Sequence, residues 1–335
     1  MALGKFRMRT GAGRWRLIFS VAAMAMLPSA AVAQEEVVRL GHILAISDIA
    51  IYAAIEKGYF KEQGIRNEIT PFASAARMLP ALVAGELEIS VGTAGAGLFN
   101  AIAEGAPFRI VADKGQARAG TGYTLLCVRK DLVDSGQVKS VKDLKGRRVA
   151  LLAKGAVHAY MLGKMAEEVG LKITDFDLVY MGAPEQAAAF ETKALDATII
   201  VEPWGARLDE QGLAVKFRLA EQVKGLTPLQ IAGIIYSGKF SNERHAVAQR
   251  WMNAYIKGVR YFVERGPKDD EVVAITAKYT KLPAKVIRAA IPHYQDPQGR
   301  PNLESLADQI AWLTANGYMK AAIPVEKTVD LSFLK

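Results

Sequence analysis

Two α/β lobes facing each other across a cleft are what this sequence predicts. Three observations carry that expectation. One order of strands and helices is written twice, strand-like runs sit where the chain would cross between copies, and 335 residues exceed one comfortable hydrophobic core.

In the first copy, Val37 to Ile43 (VVRLGHI) is β-branched and apolar, as a buried strand should be. Ile49 to Gln63 reads as a helix, with apolar Ile51, Ala54, Ile55 and Tyr59, closed by Gly64 in the C-cap role. A strand over Glu68 to Phe72, a helix over Ala75 to Ala84 stopping at Gly85, and a strand over Leu87 to Gly92 complete it. The second copy repeats the order. RRVALLA is a strand, Val157 to Val169 a helix ended by Gly170, LVYM a strand, Glu185 to Lys193 a helix and LDATII a strand. Gly64-Ile65 matches Gly170-Leu171 at an offset of 106, and Leu87-Glu88 matches Leu195-Asp196 at 108. Alternating strands and helices imply a parallel sheet in each copy. Ligand-accepting loops then lie at the strands' carboxyl ends, and two such edges face to face make a cleft for a small molecule.

Ala112 to Val128, glycine-rich with one strand-like run, suits a crossing between lobes, and Gln230 to Gly238 suits the return. Two such crossings make a hinge. The remainder, Asn242 to Lys335, reads as mostly helical and is expected against the first lobe. Trp251, Tyr255, Val259 and Phe262 recur at helical spacing, as do Leu306, Ile310 and Leu313, and such stripes mark core. The expected organisation is a leader over residues 1–33, a first lobe over 34–118 with 240–335, and a second lobe over 119–239.

The leader reading rests on Lys5, Arg7, Arg9, Arg14 and Arg16, followed by the apolar run Leu17 to Leu27 and by Ala31-Val32-Ala33, an A-x-A cleavage pattern before Gln34. The run falls short of the roughly 20 residues that span a bilayer. The expectation is therefore an exported, periplasmic protein. Those five cations account for most of the net charge of +9 and leave +4 on the mature chain. The basic balance therefore gives no ground for nucleic-acid binding, and the mature chain has no Lys/Arg block. The single cysteine, Cys127, forms no internal disulfide and sits in YTLLCV as a small apolar residue. No two histidines stand at ligand spacing and no cysteine pair exists, so neither a metal nor another cofactor is expected.

AAIEKGYFKEQGI (Ala53 to Ile65), LPALVAGELEISVGTAG (Leu79 to Gly95) and LDATIIVEPW (Leu195 to Trp204) resemble the sulfonate/nitrate/taurine-type solute-binding proteins of ABC importers. That family also includes proteins binding thiamine-pyrimidine precursors. The resemblance spans nearly all of the mature chain. It implies the two-lobed type II periplasmic-binding-protein fold, with two doubly wound lobes joined by two hinge strands. It also implies capture of a small anionic or zwitterionic solute (sulfonate-, taurine- or carboxylate-like) for a membrane permease and ATPase, and a monomer is expected. One departure stands out. Anion-holding relatives often carry Gly-Ser or Gly-Thr where the second copy's first helix begins, whereas Gly155 is followed here by Ala156 and Val157; the missing hydroxyl donor weakens the case for a sulfonate, sulfate ester or nitrate.

Helix starts facing the cleft offer unpaired N–H groups. The candidate ligand contacts are Ser47 and Asp48 after the first strand, Ser74 at the next helix start, and Thr93 and Ala94 beside Gly95 after the third strand. In the second copy they are Gly155 and His158, with Glu202 and Trp204 in Glu-Pro-Trp after its last strand. Trp204 offers a flat apolar face, and Glu202 either accepts from a ligand amine or caps the following helix. Some relatives of the family are enzymes that make a thiamine pyrimidine or cleave C–S bonds with a cysteine nucleophile. Cys127 lies in a run that reads as buried, and no Gly-x-Ser-x-Gly elbow or phosphate loop is present, so an enzyme is not expected. A sensor for a membrane kinase would share the fold.

Overall fold

The computed structural model describes residues 1–5, 8 and 35–335. The apolar run and the cleavage pattern expected in the leader lie outside the described residues. Among those described, no helix is long and apolar enough to cross a membrane.

The first lobe carries β1 (Glu36–His42), α1 (Ile49–Glu56), α2 (Tyr59–Glu62), β2 (Ile65–Pro71), α3 (Ala75–Ala84), β3 (Ile89–Thr93), α4 (Ala96–Ala103) and β4 (Arg109–Ala117). The second carries β5 (Thr124–Arg129), α5 (Lys130–Asp134), β6 (Arg148–Leu151), α6 (Val157–Glu167), β7 (Asp177–Tyr180), α7 (Ala183–Glu191), β8 (Ala197–Val201), α8 (Trp204–Glu210) and β9 (Ala214–Leu219). The chain then returns through β10 (Leu229–Tyr236) to α9 (Gly238–Glu243), α10 (His245–Arg265), α11 (Asp270–Thr280), α12 (Ala284–Ala289) and α13 (Leu303–Ala315). Two five-stranded sheets result, ordered β2-β1-β3-β10-β4 and β7-β6-β8-β5-β9. The duplicated unit is therefore real in three dimensions. β3, β8 and β10 are buried at every position, whereas β2 and β7 at the sheet edges are largely uncovered and carry charges, as edge strands do.

The aligned acidic residues explain part of the repeat. Glu88 accepts the N–H of Arg39 at 2.7 Å, and Asp196 accepts that of Arg148 at 3.0 Å. In each copy one carboxylate thus ties the third strand to the first.

Four expectations shift. The sheets are mixed, not wholly parallel: β10 runs antiparallel to β3 and β4, and β5 antiparallel to β8 and β9. These two strands enter their sheets from the hinge, at the cleft edge where their parallel neighbours end, so they must run the other way. The helix expected over Ile49 to Gln63 breaks at Gly58, whose φ of 75° interrupts it between α1 and α2. The run Gln230 to Gly238 lies within the first sheet, so the return crossing falls between Leu219 and Leu229. Finally, α10 and α11 pack on α1 as expected, but α12 also packs on α8 and α13 on α6, both in the second lobe. The expected aromatic stripe is core: Trp251, Tyr255, Val259 and Phe262 are buried, as are Leu306, Ile310 and Leu313.

Candidate functional site

The carboxyl ends of the parallel strands in the two sheets meet, and polypeptide touches polypeptide across the cleft. Ile46 N–H donates to Glu202 O at 3.0 Å, and Ala96 N–H to Gly155 O at 2.9 Å. Trp204 Nε1–H donates to Leu44 O at 3.3 Å. Gly155 has a φ of 66°, and a Cβ there would fall 2.8 Å from that of Ala96, so only glycine permits this approach. Beside the contact a pocket is walled by Leu79, Thr93, Ala94, Leu98, Ala153 and Ala156. Thr93, Ala94 and Gly155 are thus brought together at one spot from opposite lobes.

After β1, Ile46–Asp48 form a single 3-10 turn leading into α1. Asp48 is fully buried and heavily engaged. Lys114 Nζ, on β4, lies 2.5 Å from Oδ1. Oδ2 accepts from Ala45 N–H and from the Tyr52 hydroxyl, and His42 Nδ1 lies 3.1 Å away. Burial alone would raise this carboxyl; Lys114 and His42 outweigh it and hold Asp48 well below the usual carboxylate range. Asp48, expected to face a ligand, is thus engaged by Lys114, Ala45, Tyr52 and His42.

Glu202 shows the same pattern in the second lobe. Oε2 accepts from Ala206 N–H at 2.7 Å, capping α8, while Oε1 takes Ile291 N–H at 3.1 Å with Lys216 Nζ at 3.1 Å. Burial pushes its carboxyl up and Lys216 acts against that rise. Of the two roles foreseen for Glu202, the cap is the one formed. Trp204 is buried at the seam between lobes. Ser74 stands at the start of α3 without a side-chain cap bond. His158 lies inside α6, fully buried, with neither ring nitrogen hydrogen-bonded; burial lowers it to about 4, so it is neutral.

Ser47 leads to residues that sequence reasoning missed. Its hydroxyl is buried beside that of Tyr123 without a well-aligned hydrogen bond to it, and the Thr124 hydroxyl and both ring nitrogens of His293, the latter beside Gln295, are likewise buried without one. Lys114 is completely enclosed, with Asp48 as its partner. These groups adjoin. A Cβ on Gly115 would lie 2.7 Å from the Tyr123 hydroxyl and 3.1 Å from Ser47 Cβ. The rings of Tyr123 and His293 are 5.5 Å apart edge to face, and His293 stacks on Phe262 at 4.6 Å. His293 arrives on a segment after α12 that runs beside the first crossing, bridging Gly122, while Tyr294 bridges Gln116. The signal available in the sequence was Asp113-Lys114, two charges inside the otherwise strand-like IVADKGQA.

Asp113 forms a second polar hub. It accepts from Gln230 Nε2 at 2.8 Å, Gly115 N–H at 2.9 Å and Asp296 N–H at 2.9 Å, and burial pushes it up to about 7. It thereby links β4, β10 and the segment after α12.

The sequence model of a family described as NMT1/THI5 like matches residues 46–268. A curated Escherichia coli (strain K12) protein, named as an aliphatic sulfonates-binding protein, is 29% identical over 169 residues, 48% of each chain. The chain thus spans about half the length of the curated relative it matches. The solved alkanesulfonate-binding protein SsuA of Xanthomonas axonopodis pv. citri, bound to MOPS, aligns with a TM-score of 0.71 at 20% identity, covering 89% of this chain and 99% of that one. The desulfurization enzyme DSZB aligns with a TM-score of 0.61 at 16% identity, covering 89% and 97%. These likenesses show the fold, the two-lobed type II architecture of periplasmic binding proteins.

Proposed function

Because this chain belongs to the NMT1/THI5-like family, we propose that it is a solute-binding protein that captures a small organic anion or zwitterion between its lobes and delivers it to an importer. The observation that carries this reading is the closed cleft. Two repeats of one α/β unit meet at their strand ends through Ile46–Glu202 and Ala96–Gly155 backbone bonds, with buried uncommitted polar groups behind the seam. Closing lobes on a ligand is the motion such a hinge permits. The names of the relatives support sulfonates as the compounds to try first. Export to the periplasm, action as a monomer, and a permease and ATPase as partners belong to the same reading.

The fold alone leaves catalysis open, since one architecture hosts many functions. The one cysteine argues against a thiol nucleophile. Cys127 is buried in β5, and burial pushes its thiol well above its ordinary value. Among the site residues, Thr93, Ala94, Gly155 and Trp204 would wall the ligand. Asp48 and Glu202 would hold the loops in place.

A thermal-shift panel of alkanesulfonates, taurine, aromatic carboxylates and pyrimidines tests the proposal. A true ligand at 100 times its Kd adds about 2.7 kcal/mol of stability. Consumption of a bound compound would overturn the binding reading in favour of an enzyme. A flat response to the whole panel would remove these solute classes.

A further inference from the structure

We propose that Ser47, Lys114, Tyr123 and His293 form the head-group pocket of the site, built to take an oxyanion such as a sulfonate or carboxylate. This rests on the solute-binding reading above and names the part of the cleft that confers its selectivity.

The chemistry of the cluster leads there. A buried donor without a partner costs free energy, and a buried cation with one partner costs more. This chain gathers such groups at one place, where the first crossing, the β1–α1 turn and the segment after α12 converge. Lys114 has three N–H donors, and Asp48, 2.5 Å from Nζ, is its ion-pair partner. Ser47 and Tyr123 each add an O–H, and neutral His293 adds one N–H. The carboxylate that would compete with an incoming anion, Asp48, is already engaged by Lys114 at Oδ1 and by Ala45, Tyr52 and His42 at Oδ2. What remains can present the Lys114 N–H groups, two hydroxyls free to turn and donate, and one imidazole N–H toward an incoming head group. An acceptor-rich head satisfies it; an ammonium does not.

Position supports the same assignment. Gly115 on β4 pairs with Ala232 on β10, and Ala232 pairs with Thr93 on β3. Two strand spacings, about 10 Å, therefore separate the polar cluster from the Thr93 end of the apolar pocket. A ligand with an oxyanion head and a short apolar body spans that interval. The placement also accounts for the departure at Gly155-Ala156. With donors supplied by the first lobe and the hinge, the start of α6 needs no hydroxyl.

Titration calorimetry with hexanesulfonate, hexanoate, 1-hexanol and hexylamine tests this on the wild-type chain and on Ser47→Ala, Tyr123→Phe and His293→Phe. The last keeps the ring stack on Phe262 and removes only the nitrogens. The pocket predicts that the wild type binds one or both anions at least about tenfold more tightly than the alcohol or amine, and that each variant loses about tenfold or more, as for hydrogen bonds to a charged group. Melting temperatures without ligand identify any variant that fails to fold, and the others then decide. Equal binding of anion and alcohol overturns the head-group assignment. So does anion binding that survives all three substitutions, which would leave ordered water as the cluster's partner. If the wild type binds a solute, but not these anions, the pocket falls and the solute-binding reading stands. If it binds none of the four nor any compound of the wider panel, both fall.

Discussion

The loop after the first strand of each copy occupies the same place in the repeat, yet the two loops have opposite chemistry. In the first lobe it carries Asp48, buried against Lys114, His42 and Tyr52. In the second it carries no ionised buried group; Gly155 meets Ala96 through the backbone, and His158 sits neutral in an apolar setting. Duplication preserved the scaffold and let the sites diverge. The first-lobe loop is held by buried ionic contacts, and the second-lobe loop by close backbone approach.

The sharpest way to break this contrast is Lys114→Met. It leaves the Asp48 carboxylate buried without its cation, which costs about 3–5 kcal/mol. Urea unfolding of the variant measures that loss, and adding Asp48→Asn should recover much of it. A loss under about 1 kcal/mol would mean that water reaches Asp48 and that the first lobe is less sealed than described.

How far the sequence foretold this molecule follows from distance along the chain. The repeat was legible because its markers are local. Gly64 and Gly170 close equivalent segments at φ 65° and 74°, and Glu88 and Asp196 tie equivalent strands. Strand direction was not legible, since a run of buried β residues reads alike in either sense; β10 and β5 run antiparallel only because of where the hinge feeds them in. The candidate site divided likewise. Thr93, Ala94 and Gly155 follow strands, and strand ends can be found by pattern. Lys114, Tyr123 and His293 lie within β4, in a crossing and beyond α12, and only the folded chain brings them to Ser47. Asp48 and Glu202 could be picked out as loop carboxylates after strands, but their partners, Lys114 and Lys216, lie in other strands and could not be paired by spacing.

His158 offers a smaller test on the second-lobe side. Its unfolded value is near 6.5 and its folded value about 4. Above pH 6.5 both states are neutral and the residue has no pH-linked effect. As pH falls through that window the unfolded chain takes up a proton that the folded chain refuses, so stability drops. By pH 5 this amounts to about 2 kcal/mol. His158→Leu should therefore flatten the fall in stability between pH 7 and pH 5 by about that amount. Parallel curves for variant and wild type would show that His158 meets water or a partner in the folded state.

The smallest expected effect probes the seam where the two lobes touch. Trp204 is buried and gives its indole N–H to Leu44 O across the cleft, at a distance near the long end for a hydrogen bond. Trp204→Phe keeps most of the apolar face and removes that donor, so its cost is the net worth of one hydrogen bond, about 1 kcal/mol. If Trp204 serves chiefly to hold the closed form, the loss appears in ligand affinity and in the compactness seen by small-angle scattering, while the melting temperature without ligand moves little. If it serves chiefly as core of the second lobe, melting falls and affinity is retained. Trp204→Ala amplifies either outcome, because a truncated anchor at a closed cleft costs roughly 2 kcal/mol or more of binding. Measuring melting and affinity on both variants therefore decides whether the second lobe's loop is cover or core, which affinity alone does not.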